Sequence, residues 1–327
     1  MMRRHIFAML CSTLAAPAIA VEQVSFPPIA GARDITASKV GPSAGGFAPA
    51  EVENTGQGLE IRANKVPAFA RVINHREIYD GAAVGGPHLL IESVKIHSAL
   101  DIYTPLPVVI RGAEISVAGG PWALHMRPGS GPLYVSWSRI GGSAEGEAKQ
   151  QVQTAIIIRG SPARIYRSHL SIAGDAIHAD APHVLIAENL IDGLVSFKDS
   201  HNDAIQIAPG VEDVVIRRNH ILNQNPQTSC IFNEGSKVKI EDNYLAGGGW
   251  VIYGGAASNG HRKDGVGSTG VRVAGNVFGA DFFPKSGNFG PLAYWSQGAD
   301  GANIWRDNHF ADGRSVEAPP SVQPAKP

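Results

Sequence analysis

Apolar and polar positions along this chain recur in a short fixed pattern. An aliphatic residue is followed by two further positions, a small or amide residue, any residue, and a second aliphatic. The pattern stands as INHREI (73–78), IESVKI (91–96), IRGAEI (110–115), VSWSRI (135–140), IYRSHL (165–170), IAENLI (186–191), IRRNHI (216–221), IEDNYL (240–245), VAGNVF (273–278) and WRDNHF (305–310). A second apolar run precedes it in most repeats: WALHM (122–126), AIII (155–158), AIHA (176–179), AIQI (204–207), CIFN (230–233), VIYG (251–254) and LAYW (292–295). Helical 3.6-residue periodicity is hard to find, β-branched residues dominate the runs, and Gly, Asn, Asp and Pro punctuate them.

A fixed local pattern at irregular spacing suits a solenoid whose loops vary in length. Each coil would consist of two or three short parallel strands joined by bends. One coil cannot bury its inner face alone, but about ten stacked coils bury a continuous aliphatic column. The expected fold is therefore all-β: a single-stranded right-handed parallel β-helix of about ten coils. A sandwich or propeller would need more even strand spacing and more hairpin turns, and NG occurs once, at 259–260. The amide slot holds Asn189, Asn219, Asn243, Asn276 and Asn308, with Ser138 and Ser168 in it earlier. Asn tolerates left-handed backbone in turns, and stacked Asn side chains hydrogen-bond along a ladder. This signal is architectural.

Residues 70–312, through IRRNHI, IEDNYL, VAGNVF, HNDAIQI (201–207) and LAGGGWVIY (245–253), resemble the right-handed parallel β-helix proteins of the pectate-lyase-like superfamily. The resemblance implies the fold and an exported bacterial protein. That fold hosts lyases, hydrolases, epimerases, esterases and phage tailspikes, so it does not select among them. The motif sets of the polygalacturonase-like hydrolases and of the alginate epimerases do not stand intact in this chain.

Composition narrows the classes. Of 327 residues, 43% are hydrophobic, only 17% are charged and 38 are Gly, which favours many turns over long surface helices. The start reads as an export signal: basic Arg3 and Arg4, an apolar run over 6–16, and a small-x-small cut after Ala20. Export implies a secreted or periplasmic protein, with no transmembrane segment in the mature chain. Cleavage would leave 26 basic against 29 acidic residues, from 28 and 29 in the whole chain, which argues against a nucleic-acid binder. It would also leave Cys230 as the one cysteine, a packed thiol with no disulfide partner. The expected domains are a signal peptide (1–20), a cap or linker (21–60), the β-helix (61–315) and a disordered Pro-rich tail (316–327).

Strand parity places candidate chemistry. With Ile177, Ile205 and Ile231 inward, their neighbours His178, Gln206 and Phe232 point outward, and His125, Ile157 and Tyr253 continue the column. A solvent-facing stripe of aromatic and amide groups suits sugar rings; a plain solvated sheet face is the alternative. Asp175 and Asp203 open equivalent strands, which would bring their carboxylates about 5 Å apart. Such a pair shares a proton, as in a retaining glycosidase, or holds Ca²⁺, or each Asp caps its own bend. The loop SFKDSHND (196–203) gathers Lys198, Asp199, His201 and Asp203. In a polysaccharide lyase Lys198 or His201 would act as base, while Arg217, Arg218 or Ca²⁺ neutralised a uronate carboxylate. A zinc site of His178, His201 and Asp203 has no closely spaced His pair behind it. SNGHRKDG (258–265), with His261 and Arg262, suits an acidic glycan.

The resulting expectation is an exported protein acting on an acidic polysaccharide, by β-elimination in preference to hydrolysis, or binding it without catalysis. Candidate catalytic residues are Asp203, His201, Lys198, Asp175 and His178. Candidate substrate contacts are Asp180, Gln206, Arg217, Phe232, Tyr253, His261 and Arg262. The candidate metal site is Asp175 with Asp203, for Ca²⁺. The oligomeric state is open.

Overall fold

The computed structural model describes residues 31–52, 58–143, 151–196, 201–257, 266–298 and 301–318, and the backbone of 321–322. The predicted signal segment, Lys198, Asp199, His261 and Arg262 lie outside the described residues.

The chain is all-β, with three long sheets that it visits in rotation. Leu100–Ile102 belongs to sheet I, Val108–Arg111 to sheet II and Glu114–Val117 to sheet III, after which Gly120–Met126 returns to sheet I. Sheet I has nine strands, and sheets II and III ten each. Pairing within each is parallel apart from the first pair of sheet II, where Ala70–Ile73 runs antiparallel to His88–Glu92 and closes that end. This topology is compatible with a β-helix solenoid. Among the described residues no helix is long and apolar enough to cross a membrane.

The six-residue pattern spans the corner between sheets II and III. In IRRNHI, Ile216 lies on sheet II and Ile221 on sheet III, both fully buried. Equivalent residues stack in register, as Ile165 on Ile186 on Ile216 on Ile240. Each buried aliphatic side chain contributes about 1.5–3 kcal/mol, so the interior of the stack is the main source of stability. The first repeat departs from expectation. Ile73 ends the antiparallel strand and Ile78 lies exposed in the hairpin Glu77–Tyr79/Ala82–Val84, a two-stranded sheet separate from the three long ones.

The corner also corrects one detail. Left-handed backbone falls on the residue before the amide slot, with φ of 50° at Trp137, 43° at Arg167, 55° at Glu188, 51° at Arg218, 56° at Asp242 and 55° at Asp307. That geometry costs roughly 1–2 kcal/mol at each non-Gly residue. The slot itself supplies the ladder that offsets it. Asn189 Nδ2 donates to Asn219 Oδ1 at 3.0 Å, Asn219 to Asn243 at 3.0 Å, Asn243 to Asn276 at 2.9 Å and Asn276 to Asn308 at 2.9 Å. Each Asn oxygen also accepts the backbone N–H of the slot above it.

The segment before the sheets packs outside them. Ile35 and Val40 bury against Leu190, and Ala50–Glu51 adds to the edge of sheet III. Ser321–Val322 pairs antiparallel with Trp295–Ser296.

Candidate functional site

Sheet I carries a break in strand alternation. Neighbouring residues on a flat strand face opposite sides, yet Ala155 and Ile156 both enter the core, as do Ala176 with Ile177, Ala204 with Ile205, Cys230 with Ile231 and Val251 with Ile252. The chain bends at each small–aliphatic pair, so the residues flanking the pair both fall on the outer side. Two outer columns three residues apart result. One contains Trp122, Thr154, Asp175, Asp203, Ser229 and Trp250; the other contains His125, Ile157, His178, Gln206, Phe232 and Tyr253. They converge over the bend. Trp122 meets His125 edge-on with ring centroids 4.7 Å apart, and His178 Nε2 lies 2.8 Å from Asp175 Oδ2.

The centre of this groove is a bonded cluster. Asp175 Oδ1 accepts the backbone N–H of Asp203 at 2.7 Å, while its other oxygen holds the His178 ring. His178 Nδ1 has no hydrogen-bond partner among the described residues, and the side chain is 23% exposed. Ser229 Oγ donates to Asp203 Oδ1 at 2.5 Å. Asp203 is 1% exposed. Burial pushes its carboxyl up to about 7 and the Asp175 charge adds to this, against the stabilising Ser229 bond. Burial alone would lower His178, but its bond to Asp175 and the charges of Asp175, Asp180 and Asp203 raise it above the ordinary imidazole value. The site therefore pairs a carboxyl that holds its proton more tightly than usual with an imidazole that is more readily charged than usual, and Asp175 orients that imidazole.

Along the groove aromatic rings follow. Phe232 and Tyr253 have centroids 4.9 Å apart, and Tyr253 stacks on Tyr294 at 5.4 Å. Burial, with Asp203's charge behind it, pushes the Tyr253 hydroxyl up to about 12, so it stays protonated. At the other end Arg127 pairs with Asp101 at 2.6 Å. Among the described residues His125 is buried without a hydrogen-bond partner on either nitrogen, and it is lowered to about 4, by burial first and then by Arg127 and Arg159.

The structure thus brings Asp175, His178, Asp203, Gln206, Phe232 and Tyr253 together. Asp180 is tied to Arg159 at 3.0 Å, and His201 is exposed. Two expectations need correction. The stripe does not lie open to solvent: His125, Ile157 and Phe232 are buried, His125 under the edge-on Trp122 ring. Arg217 does not face this groove, since the chain turns between Ile207 and Glu212 and carries it onto sheet II. Ser229 and Tyr294 were not foreseen. Ser229 was legible by aligning TSCIF with GDAIH and NDAIQ, where it occupies the Asp slot. Tyr294 had no such signal.

Ca²⁺ takes six to eight oxygen ligands. Here two carboxylates stand together, one held toward its neutral form and both engaged by N–H or O–H donors. Among the described residues no group of three His, Cys, Asp or Glu is placed to hold a metal. The two carboxylates are short of the six to eight oxygens that Ca²⁺ takes. Cys230 is buried beneath the groove, donating to the Ala246 carbonyl, and burial raises its thiol far above the ordinary value.

Comparison of the chain with family models, with curated proteins and with solved structures finds no match.

Proposed function

We propose that the three sheets are the faces of one right-handed parallel β-helix of about ten coils, similar to the pectate-lyase-like proteins. On this reading it is an exported protein that cleaves an acidic polysaccharide by β-elimination in the bend groove of sheet I. The observation that carries the reading is the Asp175–His178 hydrogen bond with the buried Asp203 set directly against Asp175, burial pushing the Asp203 carboxyl up. Tyr253 and Tyr294, stacked on one another and half-buried, supply faces for sugar rings. Asp203 in its acid form donates a hydrogen bond to the uronate carboxylate, which makes the adjacent C–H more acidic. His178, oriented through Nε2, takes that proton on Nδ1. The C–H electrons form the C4=C5 double bond, the C4–O bond breaks, and the departing oxygen takes a proton from water. His201, and Lys198 outside the described residues, become flanking contacts in this scheme rather than the base.

Asp175 is a poor glycosidase nucleophile, since both its oxygens are already engaged. A non-catalytic glycan-binding module draws on the same aromatic row and is the second reading.

Incubation with a panel of acidic glycans, with and without Ca²⁺, separates the readings. Absorbance rising near ~235 nm reports the conjugated double bond of β-elimination, and new reducing ends without it report hydrolysis. Binding with no product supports the module and rejects catalysis. His178→Ala is expected to lower kcat by about 10²–10⁴ with little change in substrate binding. Activity is expected to rise with pH through a midpoint above the ordinary His value as His178 loses its proton, and to fall through about 7 as Asp203 ionises. A profile flat from pH 5 to 9 under saturating substrate would reject both assignments.

A further inference from the structure

Between His178 and the aromatic rings of the groove stands an amide that the fold does not use. Gln206 lies in the outer column of sheet I directly between His178 and Phe232, with Tyr253 the next member beyond. Successive members of a column stand about 4.8 Å apart, the spacing of neighbouring strands. Gln206 is half-buried, and among the described residues its amide has no hydrogen-bond partner. The polar side chains around it are committed elsewhere. Asp175 holds the His178 ring and the Asp203 N–H, Asp203 holds the Ser229 hydroxyl, and Asp180 holds Arg159. Asn202 Nδ2 donates to the Gly174 and Val195 carbonyls. The column itself does not require an amide, since Ile157 and Phe232 fill equivalent positions.

Chemistry narrows what the amide can take. A side-chain amide offers an N–H donor and a C=O acceptor side by side in one plane. A carboxylate satisfies the donor and repels the acceptor, and an ether oxygen satisfies the donor alone. Two adjacent hydroxyls donate and accept together, so they meet both halves of the amide at once. In a 4-linked uronic acid unit the adjacent hydroxyls are those on C2 and C3. They belong to the same ring whose C5 proton His178 removes in the proposed elimination, and a group one coil from His178 is within the span of that ring.

We propose that Gln206 takes the 2,3-diol of the uronic acid ring seated over His178, and so restricts the groove to units whose 2- and 3-hydroxyls are free. An O-acetyl group at either position removes a donor and sets its bulk against the amide. This deepens the reading of the groove as a site for an acidic polysaccharide and rests on it. Gln206 sets specificity and takes no proton.

The test uses the full chain with homogalacturonan, polymannuronate and polyglucuronate, each native and O-acetylated at C2 and C3. Ultraviolet absorbance of the new double bond gives kcat/KM, and calorimetry in the His178→Ala background gives binding without turnover. The unaltered chain is expected to favour the native form of its best substrate over the acetylated form by at least about tenfold. Gln206→Met and Gln206→Leu, similar in size and without hydrogen-bonding groups, are expected to lower kcat/KM on the native form about tenfold and to shrink the ratio between the two forms to about threefold or less. A purely structural role would lower both forms alike and leave the ratio unchanged. Circular dichroism and melting show that each variant is folded, and two variants keep the test open if one is not. An unchanged ratio in a folded variant overturns the proposal, as does an unaltered chain that accepts both forms equally; cleavage of the native form then still upholds the elimination. Native uronan that binds without being cleaved rejects the elimination instead, and the binding ratio then decides on Gln206 by the same criteria. Uronans neither bound nor cleaved overturn both.

Discussion

Asn219→Ala is expected to destabilise the folded protein by roughly 3–5 kcal/mol, the largest single-residue effect outside the aliphatic core. Asn219 is fully buried at the middle of the ladder. Its Oδ1 accepts both the backbone and the side-chain N–H of Asn189, and its Nδ2 donates to Asn243 Oδ1 and to the Ile186 carbonyl. Alanine leaves two donors of Asn189 and the Ile186 carbonyl without these partners, where water does not reach. Each orphaned group costs about 1–3 kcal/mol. Asn219→Asp is no rescue. It keeps an acceptor for Asn189 but turns a second oxygen on Asn243 Oδ1 and the Ile186 carbonyl. Ser168→Ala, higher in the same slot, removes only the acceptor for the Ser138 N–H and the bond to the Tyr166 carbonyl. Its cost is expected to be about 1–2 kcal/mol. Urea unfolding at constant m-value checks the order. Equal losses for Asn219→Ala and Ser168→Ala would mean that the ladder does not act as a connected chain of bonds.

Asp203→Asn is expected to be neutral for stability near pH 4 and stabilising near pH 8.5. The Asp203 carboxyl titrates near 7 in the folded chain against an ordinary value of 3.8. Below the ordinary value both folded and unfolded chains hold the proton, so that contribution to stability is fully present. Between the two values the unfolded chain has released its proton while the folded chain retains it, and stability falls by about 1.4 kcal/mol per pH unit. Above pH 7 the loss is complete, at up to about 4 kcal/mol. Asparagine still accepts from Ser229 and never ionises, so it escapes the loss. The same change removes the acid of the proposed elimination. A variant more stable at alkaline pH yet inactive is the signature of a group kept for chemistry at the expense of the fold. Melting curves of both proteins from pH 4 to 8.5 decide it: a difference that does not change with pH would show that Asp203 is not held protonated.

How much of the site was legible follows from what each signal measures. HNDAIQI and GDAIHAD announced equivalent turns, so the vertical meeting of Asp175 with Asp203 and of His178 with Gln206 was readable from the repeat. Simple alternation then put His178 outside but said nothing of how Asp175 reaches it. The answer is the small–aliphatic pair, Ala176-Ile177 and its counterparts, where two consecutive residues enter the core and bring positions three apart onto the same outer side. That pair is visible in the chain, yet its meaning depends on a bend that only neighbouring coils impose.

Local pattern by itself indicated the all-β course of the backbone: β-branched runs, turn residues and one amide slot, because each repeat carries the same short-range constraints and buries the same face. Which outer side chains meet was decided only by tertiary structure. Arg217 and Asp203 are 14 positions apart in the chain yet lie on different sheets, while Tyr134 and Arg164, 30 positions apart, are direct neighbours on sheet II. The physical reason is that a corner between strands turns the chain onto a new face, whereas stacking returns distant residues to the same one. Burial, and with it the displaced titration of Asp203, belongs to that stacking and to no segment alone.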